Sequence, residues 1–384
     1  MPATPTTPPP VDTRRPHPFA ASRPVGRVAV LRPVVVGLAV AAAFVTVFLA
    51  ALHHPQPHGL PIAVTGPRPA VTAVEQGLDR QQPGGFRFTH YADPAAAVTA
   101  VQHRDIYGAL DLSHPGAAHI TLAGANGPGV TQTLTTAFTG SAHHVGAAAT
   151  VTDTTPLPSG DSRGLAVFYY VFGVALSAFL FAMAFHQGAA GASLLVRVTV
   201  PLAFAVVTGA LLTAVADAGF DAVAGHPWQV AAISAAISYA VATATMALTR
   251  VLHGLGIGVA GLIFIVIGNA TSGGALNWHY LPGGWRWISQ LLPGGAGVGA
   301  LVDVEYFGAR HLGPLLLALG VWIAAALLLL IALPALRLDV VHRRHAAERR
   351  AAERRAAEHA AAERGAVPGP VLGAGSVPAA GGTS

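Results

Sequence analysis

Apolar residues gather in one long run near the start of the chain and in five closely spaced runs in its second half, with a stretch of mixed polarity between. Pro33 to Leu52 carries no charge. At about 1.5 Å per helical residue it extends roughly 30 Å, the thickness of one hydrocarbon core. A cleaved signal peptide would have a shorter apolar region ending in a small-x-small site; here Leu52-His53-His54-Pro55 follows, which favours an uncleaved membrane helix. The later runs are Gly164 to Phe185, Val198 to Ala216, Trp228 to Leu248, Val251 to Asn269 and Leu312 to Leu336. The pattern predicts a polytopic α-helical membrane protein with six transmembrane helices, arranged one plus five, and an α/β extracytoplasmic domain between the first and second.

Within that domain, residues 53–163, Ile62 and Val64 alternate with their neighbours, as do Phe86 and Phe88, predicting strands with one buried face. Asp93-Pro94 is an N-cap followed by proline at the first helical position, predicting a helix over Ala95 to His103. Ile106 to Leu112 and Ala118 to Leu122 read as further strands. Asn126-Gly127-Pro128-Gly129 is a turn signal, and Val130, Leu134 and Phe138 set an apolar helix face after it. A Thr- and Pro-rich stretch leads back to the membrane core, 164–336.

The flanks are polar. Residues 1–32, rich in Pro, Thr and Arg, read as a disordered tail. Residues 337–384 read as a solvated helix built on the repeat AAERR, AAERR, AAEHA, AAERG, followed by disorder; a five-residue period accumulates no apolar seam, which argues against a coiled coil.

Charge sets the orientation. Arg197 lies between the second and third spans, Arg250 between the fourth and fifth, and Arg337, Arg343 and Arg344 follow the sixth, whereas Asp217 and Asp221 occupy the connection between the third and fourth. The positive-inside rule places both termini in the cytoplasm of a cell (plasma) membrane protein. Arg286 and Arg310 run against this from a longer outer segment. Trp228, Trp278, Trp285 and Trp287 fall on the same outer side, as an interfacial aromatic belt does.

Composition removes several chemistries. Of 384 residues, 53% are hydrophobic and 10% charged, well below the quarter usual in soluble domains. There is no cysteine, hence no disulfide and no thiolate metal site. All 22 basic residues are Arg, so no P-loop lysine and no Schiff base can form. No basic stripe interleaves with stacking aromatics, so nucleic acid is not an expected partner. His53, His54 and His58 cluster beyond the first span and His143 adjoins His144, but the first cluster is broken by proline and lacks a carboxylate, and no metal or other cofactor is expected. Neither H-E-x-x-H nor G-x-S-x-G occurs, and Asp79, Asp105 and Asp111 are scattered; no catalytic residue is expected and the chain does not read as an enzyme. The six spans lack an acidic or basic residue at their centres, which counts against an ion-coupled carrier.

The richest segment is the non-spanning hairpin at 271–311. Trp285 to Leu292 fits a short helix with Trp285, Ile288 and Leu292 on one face; Pro293-Gly294-Gly295 breaks it, and Ala296 to Phe307 resumes. Such pieces are tolerated at membrane depth only when covered by protein or water. Asn269, Ser272, Gly273, Gly274, Trp285, Trp287, Pro293, Gly294, Gly295, Tyr306 and Phe307 are its candidate gating residues, and valine at Gly294 and Gly295 is expected to spare insertion while impairing activity.

At these residues the chain resembles the ABC type 2 (ABC-2) permeases, in particular their phage-infection-protein-like (Pip-like) branch. The resemblance runs from Arg27 to Leu338. It rests on the one-plus-five arrangement, Asn269-x-x-Ser272-Gly273-Gly274, Leu291-Leu292-Pro293-Gly294-Gly295 and Tyr306-Phe307-Gly308, with Ala95-Ala96-Ala97-Val98 and Tyr107-Gly108-Ala109-Leu110 in the outer domain. It implies the membrane part of an exporter, paired as a homo- or heterodimer in membrane lipid and energised by a separate ATPase subunit. The chain departs where a coupling helix would sit, since His186 to Arg197 is short and rich in Gly and Ala. The rival reading is a membrane-anchored surface, receptor or secretion-assembly protein working through its outer domain without an ATPase.

Overall fold

The computed structural model describes residues 27–53, 55–189, 191–222 and 225–332; the expected N-terminal tail, His54 and the C-terminal repeat helix lie outside them. The chain divides into two compact units, residues 1–326 and 327–384, the second described only as far as Ala332.

Helix α1 (Arg27–Leu52) leads to an α/β domain: β1 (Leu60–Thr65), α2 (Arg68–Gln81), β2 (Phe86–Thr89), α3 (Pro94–Gln102), β3 (Gly108–Asp111), β4 (Ala117–Leu122), α4 (Pro128–His144) and β5 (Ala148–Asp153). The sheet order is β2-β1-β3-β4-β5. All neighbours are parallel except β3 and β4, which pair antiparallel. The Asp93-Pro94 signal forms as read: the Asp93 carboxylate accepts the Ala95 N–H at 3.0 Å, and proline at N1 forfeits only a donor that has no helical partner.

Leu60, Ile62, Val64, Val74, Leu78, Leu110, Ile120, Leu134 and Phe138 make one apolar core of the domain. Ala63, Ala97, Ala100, Val101, Ile106 and Ala109 make a second, smaller one, which includes α3. This corrects the reading of β1 as half-buried: all six of its residues are buried, because β2 and β3 flank it and both faces are covered. Two elements go beyond the sequence reading. Helix α2 buries only Val74 and Leu78, and β5 is largely exposed and carries small and polar residues, Ala-Ala-Thr-Val-Thr-Asp.

After the domain come α5 (Ala166–Gly188), α6 (Leu194–Phe220) and α7 (Pro227–Leu252). A short reversal at His253 precedes α8 (Gly256–Ala260), a π-helical stretch (Gly261–Ile267) and a closing turn, α9 (Gly268–Ala270). Then follow α10 (Gly283–Leu291), α11 (Pro293–Tyr306) and α12 (Leu312–Ala332). Among the described residues, five helical runs are long and apolar enough to cross a membrane: Val34–Leu52, Ala166–Gly188, Leu194–Phe220, Pro227–Ala270 and Leu312–Ala332. They mark a membrane-embedded protein. The fourth, 44 residues long, holds both the fourth and fifth sequence runs. It does not run straight, because His253 adopts φ 51°, and a Cβ on Gly256 would meet the Leu248 carbonyl oxygen at 2.6 Å. The chain therefore doubles back on α7 at that point. The third run is longer than its hydropathy suggests, and Arg197 belongs to the first turn of α6, its Nε donating to the Ala192 carbonyl at 3.0 Å.

Small polar groups hold the helices together. The Tyr170 hydroxyl lies 2.9 Å from both Thr213 Oγ1 on α6 and Ser234 Oγ on α7, while Thr243 and Thr249 bond back to their own helix. Tyr170→Phe should cost about 1 kcal/mol, the order of one interhelical hydrogen bond in a membrane protein. An unchanged unfolding midpoint in detergent would show that the three hydroxyls do not tie these helices.

Candidate binding cavity

The segment after α9 docks onto the α/β domain rather than looping freely. Ser272 Oγ donates to the Asn269 carbonyl at 3.0 Å and closes the helix end; Gly273, at φ +79°, then turns the chain. Asn277 accepts the His279 N–H at 3.1 Å and its amide reaches the Asn126 carbonyl at 3.5 Å. Tyr280 donates to the Gly129 carbonyl at 3.2 Å and joins the domain's larger core. The His58 N–H donates to the His279 carbonyl at 2.8 Å. From the other end of the segment, Phe307 enters the smaller core of the domain beside Ala97, Ala100 and Val101.

Helices α10 and α11 differ in detail from the sequence reading. The break between them is the single residue Leu292, and Pro293 is the first residue of α11, so Gly294 and Gly295 lie inside its first turn. On α10 the buried side chain is Ser289; Ile288 and Trp287 are exposed. The two glycines are contact points. A Cβ on Gly295 would fall on the Ser289 carbonyl, and one on Gly294 would lie 2.9 Å from the Gly268 carbonyl oxygen. Further along α11, Gly297 faces Ile237 of α7 and Val171 of α5. Trp322 of α12 donates to the Leu291 carbonyl at 2.7 Å. A helix pair too short to span is thus packed among spanning helices.

Between the α/β domain, the start of α5, the 271–281 segment and α10–α11 lies a cavity of about 520 Å³, within the range of small-molecule sites. Of the sequence candidates, Ser272, Gly273, Gly274, Gly295 and Tyr306 line it; Trp285, Trp287, Pro293 and Phe307 do not, and Asn269 and Gly294 face a small crevice beside Phe168 and Phe264.

The polar wall comes from residues the sequence reading did not assemble: Arg87 on β2, Arg104 after α3, Arg286 on α10, and Asn126, Tyr107, Trp278 and His279. Arg286 lies 4.3 Å over the Trp278 ring and its Nη1 donates to the His58 carbonyl at 3.2 Å. Arg104 donates through Nε to Asn126 Oδ1 at 3.2 Å and stands 5.1 Å over the Phe307 ring. The His279 ring lies tilted by 32° against the Trp278 ring, centroids 3.9 Å apart, and edge-on to Tyr107 at 4.9 Å. Burial, with the charges of Arg286, Arg87 and Arg104 adding to it, pushes the His279 pKa down to about 3, against a weak opposing contact with the His58 carbonyl. The imidazole is therefore neutral at physiological pH.

The acids at the cavity are occupied elsewhere. Both Asp161 oxygens accept N–H groups at the start of α5, from Leu165 at 2.9 Å and Ala166 at 3.1 Å, which suits the positive end of that helix. Asp105 lies 3.4 Å from His311 Nε2, and the same ring lies 3.5 Å from the buried Asp303, whose other oxygen accepts the His311 N–H at 2.7 Å. His311 so links the α/β domain to α11. Among the described residues no carboxylate lies within ion-pair distance of Arg87, Arg104 or Arg286, and no group of three His, Asp or Glu is placed to hold a metal ion. Donors and cations facing inward suit an acceptor-rich, anionic group. Comparison with family models, with curated proteins and with solved structures gave no match.

Proposed function

We propose that the protein is the permease subunit of an ABC-2 type exporter in the cell membrane, with both termini cytoplasmic, its α/β domain extracytoplasmic and six spans formed by counting the two limbs of the folded fourth run separately. One observation carries the reading: in the non-spanning pair α10–α11, α11 is buried against α5 and α7, with Gly297 at the contact. Broken helices at membrane depth are built where they line a path or a cavity, and a plain anchor has no use for them. In this reading two permease copies pair in the lipid, α10–α11 closes the outer side, and a separate ATPase supplies energy from the cytoplasm.

A second reading has its own support in the cavity at the domain junction: a membrane-anchored surface or assembly protein that works by binding a ligand there. Purifying the tagged protein from its own host in mild detergent and identifying its partners by mass spectrometry separates the two. The exporter reading expects a stoichiometric P-loop ATPase. Its reproducible absence, with the protein alone or with envelope proteins, would overturn that reading in favour of the second.

A further inference from the structure

We propose that the cavity between the α/β domain and α10–α11 binds a phosphate-bearing ligand, with the phosphate held among Arg87, Arg104 and Arg286 and the adjoining part of the ligand against Trp278. The inference does not rest on the transport reading, because it concerns binding by this chain alone.

Three independent features meet here. The first is uncompensated charge. The three guanidinium groups come from separate elements, yet all three line the one cavity. The groups that Arg104 and Arg286 touch are neutral: Asn126, the His58 carbonyl and aromatic faces. The neighbouring acids are engaged with the α5 terminus and with His311. Guanidinium is the side chain best matched to phosphate oxygens, which it meets with paired N–H donors.

The second feature is an unspent donor. Asn126 is only 4% exposed. Its Oδ1 accepts from Arg104, and its Nδ2 is buried without a hydrogen-bond partner, in a residue that lines the cavity. A buried amide left unpaired is costly, of order 1–3 kcal/mol, and a phosphate oxygen beside Arg104 would satisfy it. The third is the wall itself: half-buried Trp278 lines the cavity, backed by the buried rings of His279 and Tyr107, an aromatic surface suited to the body of a ligand rather than to a bare ion.

The source is either a soluble phosphate ester or the headgroup of an anionic phospholipid. The full-length protein in detergent can be titrated with glycerol 3-phosphate, with glycerol as the uncharged control, and its retained lipids read by native mass spectrometry after exchange into phosphatidylglycerol or phosphatidylcholine nanodiscs. Saturable binding of glycerol 3-phosphate without binding of glycerol supports the site and points to a soluble ester. Selective retention of phosphatidylglycerol supports it and points to a headgroup. In either case Arg286→Gln and Arg87→Gln should each weaken binding about tenfold, the loss of one charge-assisted contact. Arg87 is exposed on β2, so its replacement keeps the fold even if Arg286→Gln loosens the docked segment. Failure of both probes to bind, or binding by Arg87→Gln equal to that of the parent, would overturn the proposal.

Discussion

Alanine at Gly295 is expected to unseat the α10–α11 pair and to cost about 3 kcal/mol or more, at the upper end of what overpacking does. The added Cβ has no room. It would fall on the Ser289 backbone carbonyl, with Ser289 Oγ 2.9 Å away, and backbone cannot swing aside as the end of a side chain can. The two helices cross here at backbone contact, in the manner of small residues at helix interfaces in membranes. Gly294→Ala should show the same defect in weaker form, against the Gly268 carbonyl. Gly284, on the exposed side of α10 with nothing within 4 Å, provides the control and should tolerate alanine. Melting in detergent, together with protease sensitivity between Gly283 and Tyr306, measures the effect. A Gly295→Ala protein as stable and as protease-resistant as the parent would show that the crossing is not the clamp it looks. This also revises the expectation for valine at these positions: lost activity would follow from lost packing, so a stability measurement has to accompany any assay of gating.

Local signals were legible and non-local ones were not. Asp93-Pro94 and the four-residue spacing of Val130, Leu134 and Phe138 forecast α3 and the buried face of α4, because caps and helix periodicity are written in neighbouring residues. The number of buried faces on β1 was not, since it depends on what covers the sheet from elsewhere in the chain. Helix α2 escaped notice because a surface helix that buries only Val74 and Leu78 has too narrow an apolar stripe to stand out. The fourth and fifth apolar runs were correctly separated near position 250, though only the left-handed backbone at His253 shows how the chain turns. The cavity was the least legible part. Its arginines lie at 87, 104 and 286, so no motif joins them. One trace existed: Arg286 stands against the charge rule that orients the other spans. Such a cation has to be held by something, and here it sits over Trp278 and against the His58 carbonyl. Phe307 was singled out as a gating candidate. It is a buried anchor in the core of the α/β domain, not part of the cavity wall.

Mild acid should loosen the docking of the 271–281 segment onto the α/β domain, and His279 is the group responsible. Its pKa falls from 6.5 to about 3 on folding, through burial and the charges of Arg286, Arg87 and Arg104. Between those two values the unfolded or undocked chain binds a proton that the native state refuses, so stability rises with pH across the window. The contribution is fully present above pH 6.5 and is lost as pH falls towards 3. At about 1.4 kcal/mol per pKa unit, acidification to pH 5 should remove roughly 2 kcal/mol, and more below that. The mechanism is specific. A protonated imidazole would be a fourth cation beside three arginines, buried against Trp278 and Tyr107, with only the His58 carbonyl, 3.4 Å from Nδ1, to receive it. His279→Gln removes the titration while keeping a polar side chain, so the parent and this variant should diverge in melting temperature between pH 7 and pH 5 and run parallel above it. If a phosphate-bearing ligand occupies the cavity, its negative charge should raise the His279 pKa and shrink that divergence. Parallel pH profiles for parent and variant throughout this range would show that the imidazole is not held neutral, and with it would fall the picture of a positively charged cavity at the domain junction.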